Sequence, residues 1–187
     1  MARRIPAHTR QLLKSHAGIQ LDLGCGQNKA QGYVGLDARD VPGVDIVHDL
    51  TETPWPLPDD CVTLTRLSHV WEHIPPWKTI AVMAEIHRVS RHNALVFISA
   101  PYGLGFRFVQ DPTHCNPSNE ATWAYWDPLH PSKLWQQVYR PPAMHIEAYE
   151  VVPANGDRDF ECAMRVCKKG KDTAAGWTCP HGSTVQS

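Results

Sequence analysis

One stretch constrains this chain more than any other: Gly18-Ile19-Gln20-Leu21-Asp22-Leu23-Gly24-Cys25-Gly26-Gln27-Asn28, followed closely by Gly32-Tyr33-Val34-Gly35-Leu36-Asp37. The first piece reads as a buried strand running into a glycine turn. The second reads as a short apolar strand ending in an acid, and together they have the form of a nucleotide-type site in an open α/β sheet. Gly24 and Gly26 lack side chains, so the backbone there can approach a ligand closely, while Asp37 sits where a carboxylate accepts both hydroxyls of a ribose. A redox dinucleotide fingerprint would need a third glycine, and position 29 is Lys. Between Gly26 and Tyr33 the chain is too short for a crossover with its helix, which takes roughly 10 to 12 residues or more. That helix is expected to be missing or reduced to one turn.

The run Leu21-Asp22-Leu23-Gly24-Cys25-Gly26, with Asp37 closing the next strand, resembles motifs I and II of the class I methyltransferases that use S-adenosylmethionine (SAM). The resemblance spans about Gly18 to Lys168. It implies an α/β, Rossmann-like class I methyltransferase sandwich: a mostly parallel sheet with an antiparallel last strand, and SAM lying across the C-terminal strand edges. It also implies cofactor contacts from Asp22, Gly24, Cys25, Gly26 and Asp37. Pro42 to Leu50 reads as a turn and a third strand ending in Asp49; in enzymes of this pattern that strand end meets the adenine, which makes Asp49 and Leu50 candidates. Asp49 as a cap of the following turn is the structural alternative. With the first helix missing, Lys29 is the candidate to supply positive charge to the SAM carboxylate, against a plain exposed loop lysine.

Composition bounds the rest. The chain has 187 residues, 42% of them hydrophobic, enough for one sizeable core and too few for a second full domain. One domain is expected over 1–168, with 169–187, polar and Gly-rich around Cys179-Pro180-His181, as a flexible tail. The formal charge of -1 creates no global attraction to nucleic acid or an anionic membrane, so a small-molecule substrate is expected and a nucleic-acid or membrane partner is not. The six cysteines show no Cys-x-x-Cys. With neither an apolar leader nor a membrane-length run, the expected compartment is a reducing cytoplasm.

In chain order, Met1 to Ser15 suits a short amphipathic helix covering a sheet edge. Thr51 to Asp60, with Pro54, Pro56 and Pro58, reads as a rigid loop. Cys61 to Ser68 is a fourth strand leading into His69-Val70-Trp71-Glu72-His73-Ile74-Pro75, a segment similar to the Ser-His-x-x-Glu-His-Ile of some small-molecule methyltransferases; Ser68 and His69 join the cofactor candidates. His69-x-x-Glu72-His73 also matches an inverted zinc-protease motif, in which two histidines one helical turn apart bind the metal. Pro75 and Pro76 end any helix within a turn, which argues against that reading. Trp77 to Val89 has helical apolar spacing. Ser90 to Asn93 is a turn in which Asn93 can be left-handed, and Ala94 to Ser99 a strand buried on both faces. Ser99-Ala100-Pro101-Tyr102 superficially matches the box of amino methyltransferases, but that box follows strand four and here strand four ends in Ser68-His69.

Phe106 to Pro131 is the least regular segment, with Gln110-Asp111-Pro112-Thr113-His114 similar to a segment of the same methyltransferases. Its aromatics Trp123, Tyr125 and Trp126 either wall a substrate pocket or cover the end of the sheet. A short helix is expected within Pro131 to Tyr139. Ile146 to Val152 and Phe160 to Lys168, joined through Asn155-Gly156, read as a β-hairpin. The catalytic candidates are His73, His114 and Asp111: the ends of strands four and five are neighbours in this fold, and histidine titrates near neutrality, so one imidazole can take a hydroxyl's proton while Asp111 orients it. The alternative is that His114 and Asp111 only pin the loop. The implied function is SAM-dependent methyl transfer; the alternatives are a SAM-binding protein without transferase activity and a zinc hydrolase using His69 and His73.

Overall fold

In the computed structural model, residues 18–168 are described apart from 138 and 140. The helix expected over Met1 to Ser15 and the tail 169–187 lie outside the described residues. Seven strands form one sheet: β1 (Ile19–Leu23), β2 (Val34–Asp37), β3 (Ile46–Val47), β4 (Val62–Ser68), β5 (Ser90–Pro101), β6 (Met144–Ala154) and β7 (Asp157–Val166). Their order is β3-β2-β1-β4-β5-β7-β6. The first five run parallel, and β7 pairs antiparallel with both β5 and β6. This is the expected mostly parallel sheet whose last strand is antiparallel and sits inside the order.

The crossover from β1 to β2 contains turns and no helix. Polar contacts close it instead. The wholly buried Asp22 accepts the Ala30 N–H at 2.8 Å and Arg66 Nη1 at 3.0 Å, tying the loop to its own strand and to β4. Asp45 Oδ2 accepts Lys29 Nζ at 2.7 Å and the Gly35 N–H at 2.8 Å, tying the same loop to the turn before β3. Gly35 is required here because the loop lies on β2: a Cβ at Gly35 would meet Cys25 Sγ at 2.6 Å and Lys29 Cδ at 2.7 Å.

The other face of the sheet carries the core. Leu21, Leu23, Leu36, Leu67, Val96, Ile98 and Met164 are buried in one cluster with α1 (Thr79–Val89), whose Val82, Met83, Ile86 and Val89 point inward at helical spacing. Among the described residues α1 is the one helix longer than four residues; α2 (Phe106–Val109) and α3 (Leu134–Gln137) are single turns. No helix of the described residues is long and apolar enough to cross a membrane. Glu85 of α1 holds the Thr51 to Asp60 loop: it accepts the Trp55 N–H at 2.6 Å and pairs with Arg88, whose guanidinium also reaches the Leu57 carbonyl. The hydrogen bonds from Arg88 keep the Glu85 carboxyl below its usual range, against the opposing effect of burial.

Three details refine the sequence expectation. β5 starts at Ser90, because Ser90 pairs with Val62 while Leu95 pairs with Leu64; the expected turn is a bulge in the strand, with Asn93 at φ 66°. Trp123 does not wall a pocket. It is buried against Trp71 at 4.6 Å and Phe160 at 6.0 Å between ring centroids. The hairpin strands begin earlier than their apolar runs, at Met144 and Asp157, and turn through Asn155 (φ 44°) and Gly156 (φ 82°), the two positive angles of a tight hairpin turn.

Asp22→Ala removes one partner from the Ala30 amide and from Arg66. With hydrogen bonds to a charged group worth about 1.5–3 kcal/mol, the midpoint of thermal unfolding should fall by roughly 3–12 °C for a chain of this size. A midpoint equal to the parent's by circular dichroism would show that the loop does not depend on this carboxylate.

Candidate functional site

The C-terminal ends of β1, β2, β3 and β4 meet at a cavity of about 400 Å³. Gly24 supplies its floor after β1, Asp37, Ala38 and Arg39 one wall after β2, Asp49, Leu50 and Thr51 the next after β3, and His69, Val70, His73 and Ile74 the last after β4. Gly24 holds φ +64°, and a side chain begun there would overlap Val70, so both the backbone angle and the space demand glycine. Asp37 Oδ2 accepts the Gly26 N–H and Oδ1 accepts the Arg39 N–H, each at 2.8 Å. Burial alone would raise the Asp37 carboxyl, but these amides and the Arg39 guanidinium hold it below its usual value. Leu50 is fixed from outside, its carbonyl accepting Trp55 Nε1 at 3.0 Å.

The β4 side is a cluster of titratable groups. His69 has a left-handed backbone, φ 54°, and its ring lies between two carboxylates, Nδ1 3.3 Å from Glu72 Oε1 and Nε2 3.5 Å from Asp159 Oδ2. The contact with Glu72 raises its pKa above the ordinary histidine value, while burial opposes. The loop after β5 docks here through the Cys115 and Asn116 N–H groups, which donate to the Glu72 carbonyl at 2.8 and 3.1 Å. It brings His114 to 4.8 Å from His73 between ring centroids, and Thr113 Oγ1 to 3.2 Å from His73 Nδ1. Asp111 Oδ1 accepts both the N–H and the hydroxyl of Thr113, which lowers its pKa.

No protein-family model matches the chain, and no curated protein does. Solved structures do. A SAM-dependent methyltransferase from Archaeoglobus fulgidus superposes with a TM-score of 0.56 at 18% identity, covering 85% of this chain and 91% of that one. A 16S rRNA (adenine(1408)-N(1))-methyltransferase with cosubstrate SAM from Catenulisporales acidiphilia gives 0.58 at 11% identity, over 91% and 95% of the two chains. The fold is that of the class I SAM-dependent methyltransferases. A third such structure, the Burkholderia thailandensis 1,6-didemethyltoxoflavin-N1-methyltransferase with S-adenosylhomocysteine bound, gives 0.57 at 15% identity over 86% and 78%.

Within this methyltransferase fold, five of the ten cofactor candidates line the cavity: Gly24, Asp37, Asp49, Leu50 and His69. Asp22 and Gly26 stand behind it as supports, and Ser68, half-buried at the end of β4, is not part of the lining. Cys25 is buried, and burial first, then the nearby Asp22 and Asp37, pushes its thiol up to about 11. Lys29 makes a contact that neither reading of it named. Its ammonium is engaged by Asp45 and is not part of the cavity lining; Arg39 is the lining cation, its Nη2 2.7 Å from where a Gly26 side chain would begin. Asp49 does cap the following turn, accepting the Thr51 N–H and hydroxyl through Oδ1, while also lining the cavity. Of the catalytic candidates, His73 lines the cavity, and His114 and Asp111 stand behind it, Nε2 to Oδ2 3.7 Å.

The inverted zinc-protease pattern is not formed, since Trp71–His73 is a three-residue 3-10 turn and His69 and His73 do not share a helix face. Sequence reasoning missed Ala38, Arg39, Thr51, Val70 and Ile74, although each adjoins or lies close to a residue it named. A second cavity, of about 500 Å³, lies beyond Trp71; Tyr125 and Trp126 wall that one instead. Gly24→Ala should lower the midpoint of urea unfolding through the left-handed backbone, at about 1–2 kcal/mol, and through the overlap with Val70. Adding Val70→Ala should recover only the second part. Stability equal to the parent's in Gly24→Ala alone would contradict this geometry.

Proposed function

We propose that the chain transfers the methyl group of SAM to a small-molecule acceptor carrying a hydroxyl. The observation that supports this most is the cavity at the ends of β1 to β4, whose glycine turn and two strand-end acids occupy the positions at which the resemblance puts cofactor contacts. The lining fits such a cofactor chemically. Asp37 and Asp49 offer carboxylates to hydroxyl and amino donors, Leu50, Val70 and Ile74 offer apolar surface to a purine, and Arg39 offers a cation to a carboxylate. SAM supplies a methyl group already activated by the sulfonium charge. What remains for the protein is to hold the acceptor in line, and positioning of this kind can supply roughly 7–11 kcal/mol of a barrier.

The acceptor side is the β4 wall. His73 both lines the cavity and is oriented from behind by Thr113, so it is the imidazole placed to take the acceptor's proton, with Asp111 steering it through the Thr113 hydroxyl. A near-neutral chain suits a small acceptor better than a nucleic acid.

Two measurements test this together. Calorimetric titration with SAM should show binding that Asp37→Ala weakens by roughly ten- to a hundredfold. Assays with methyl-labelled SAM over a panel of phenols and small alcohols should show transfer that His73→Ala slows by roughly 10²–10⁴ with SAM affinity kept. No SAM binding would refute the reading, and binding with no transfer to any acceptor would leave a SAM-binding protein in its place.

A further inference from the structure

Glu72 is not accounted for by that mechanism. Its side chain is 1% exposed, its Oε1 faces His69, and its Oε2 has no hydrogen-bond partner. Burying an unpaired carboxylate oxygen is costly, and in folded proteins such a group is normally satisfied by a donor or a cation. The protons around it can be assigned from their neighbours. The Thr113 hydroxyl gives its single proton to Asp111 Oδ1 at 2.7 Å, so at the 3.2 Å contact with His73 it accepts and His73 Nδ1 donates. His114 Nδ1 lies 3.0 Å from the Phe108 carbonyl, which can only accept, so the proton is on Nδ1 there as well. In the neutral imidazoles both Nε2 atoms are then bare lone pairs.

We propose that Glu72, His73 and His114 form a binding site for a divalent transition-metal ion such as Zn²⁺ or Fe²⁺, beside the cavity that His73 lines. One ligand atom from each of the three lies within 4.8 Å of the others. Bonds of about 2.0–2.1 Å put tetrahedral ligand atoms roughly 3.4 Å apart, so the side chains draw in by about 1 Å when the ion enters. Two imidazoles and one carboxylate are a donor set that suits these ions. The outer contacts match as well, because each ring's other nitrogen already donates to an oxygen that fixes its tautomer and orientation. The spacing does not rest on two independent loops, since the backbone N–H groups that follow His114 are bonded to the Glu72 carbonyl. His69, whose ring lies between Glu72 and Asp159, is not among the three residues whose ligand atoms cluster.

The use of the site rests on the methyl-transfer reading. An acceptor oxygen in an open position would release its proton to solvent more readily than when free, and His73 would then hold the ion instead of taking the proton itself.

The metal-stripped full chain, titrated with Zn²⁺ alone in a calorimeter and with Co²⁺ in an absorption spectrometer, tests the site without SAM. One tight equivalent is expected, with the visible bands of tetrahedral Co²⁺ and no thiolate charge-transfer band. His114→Ala, His73→Ala and Glu72→Gln should each weaken Zn²⁺ binding by more than the roughly 10–100-fold that loss of an outer partner costs. Cys115→Ser and His130→Ala should bind as the parent does. No stoichiometric ion on the parent, a thiolate band, or undiminished binding in folded His73→Ala and His114→Ala would each overturn the proposal; the parent spectrum decides even if a variant fails to fold. Metal binding without SAM binding would leave the site standing and remove only the use assigned to it.

Discussion

The contact between the Asp22 carboxylate, the Ala30 amide and the Arg66 guanidinium sets the position of the glycine turn, and the cavity is built outward from that turn. A helix after β1 would normally fix such a turn by its own backbone ladder and by packing. Here a wholly buried charge does so, and it is tolerable because it is paired with Arg66 and hydrogen-bonded by an amide. A second carboxylate, Asp45, repeats the device through Lys29 and the Gly35 amide. Polar staples of this kind constrain a few atoms strongly, whereas a packed helix constrains many weakly. The loop can therefore be short and flat on β2, provided position 35 has no side chain.

From that turn outward, each wall of the cavity is held by something behind it. Asp37 is oriented by the Gly26 and Arg39 amides, Leu50 by Trp55, and Trp55 in turn by Glu85 and Arg88 of α1. On the far wall the loop after β5 is bonded to the backbone of Glu72, so the two histidines approach each other as parts of one hydrogen-bonded unit. Positioning of a cofactor and an acceptor needs rigidity of this order, and the described residues supply it with very little helix.

Much of this was legible in the chain. The missing helix followed from counting residues between Gly26 and Tyr33, the hairpin from Asn155-Gly156 between β-rich runs, and the strand-end acids from their place after apolar segments. The approach of His73 and His114 followed from strands four and five being neighbours. What could not be read was partner choice. Lys29 lies 16 residues from Asp45, and no local pattern shows that this acid, not a ligand, receives the ammonium. Trp123 and Tyr125 are alike in sequence terms, yet one is core and the other lines a cavity, because only the packed sheet decides which ring meets Trp71. The buried, unpartnered Glu72 oxygen was equally invisible, since a turn residue gives no sign of its burial.

The central claim is that the ends of β1 to β4 form one cofactor site organised by the Asp22-pinned turn. A crystal structure of the chain with S-adenosylhomocysteine tests it most directly. The account predicts the nucleoside between Asp37 and Asp49, over Leu50, with the Gly24 to Gly26 turn unchanged and Asp22 still on Ala30 and Arg66. Ligand bound in the aromatic cavity beyond Trp71, or a turn rebuilt around Lys29, would contradict it.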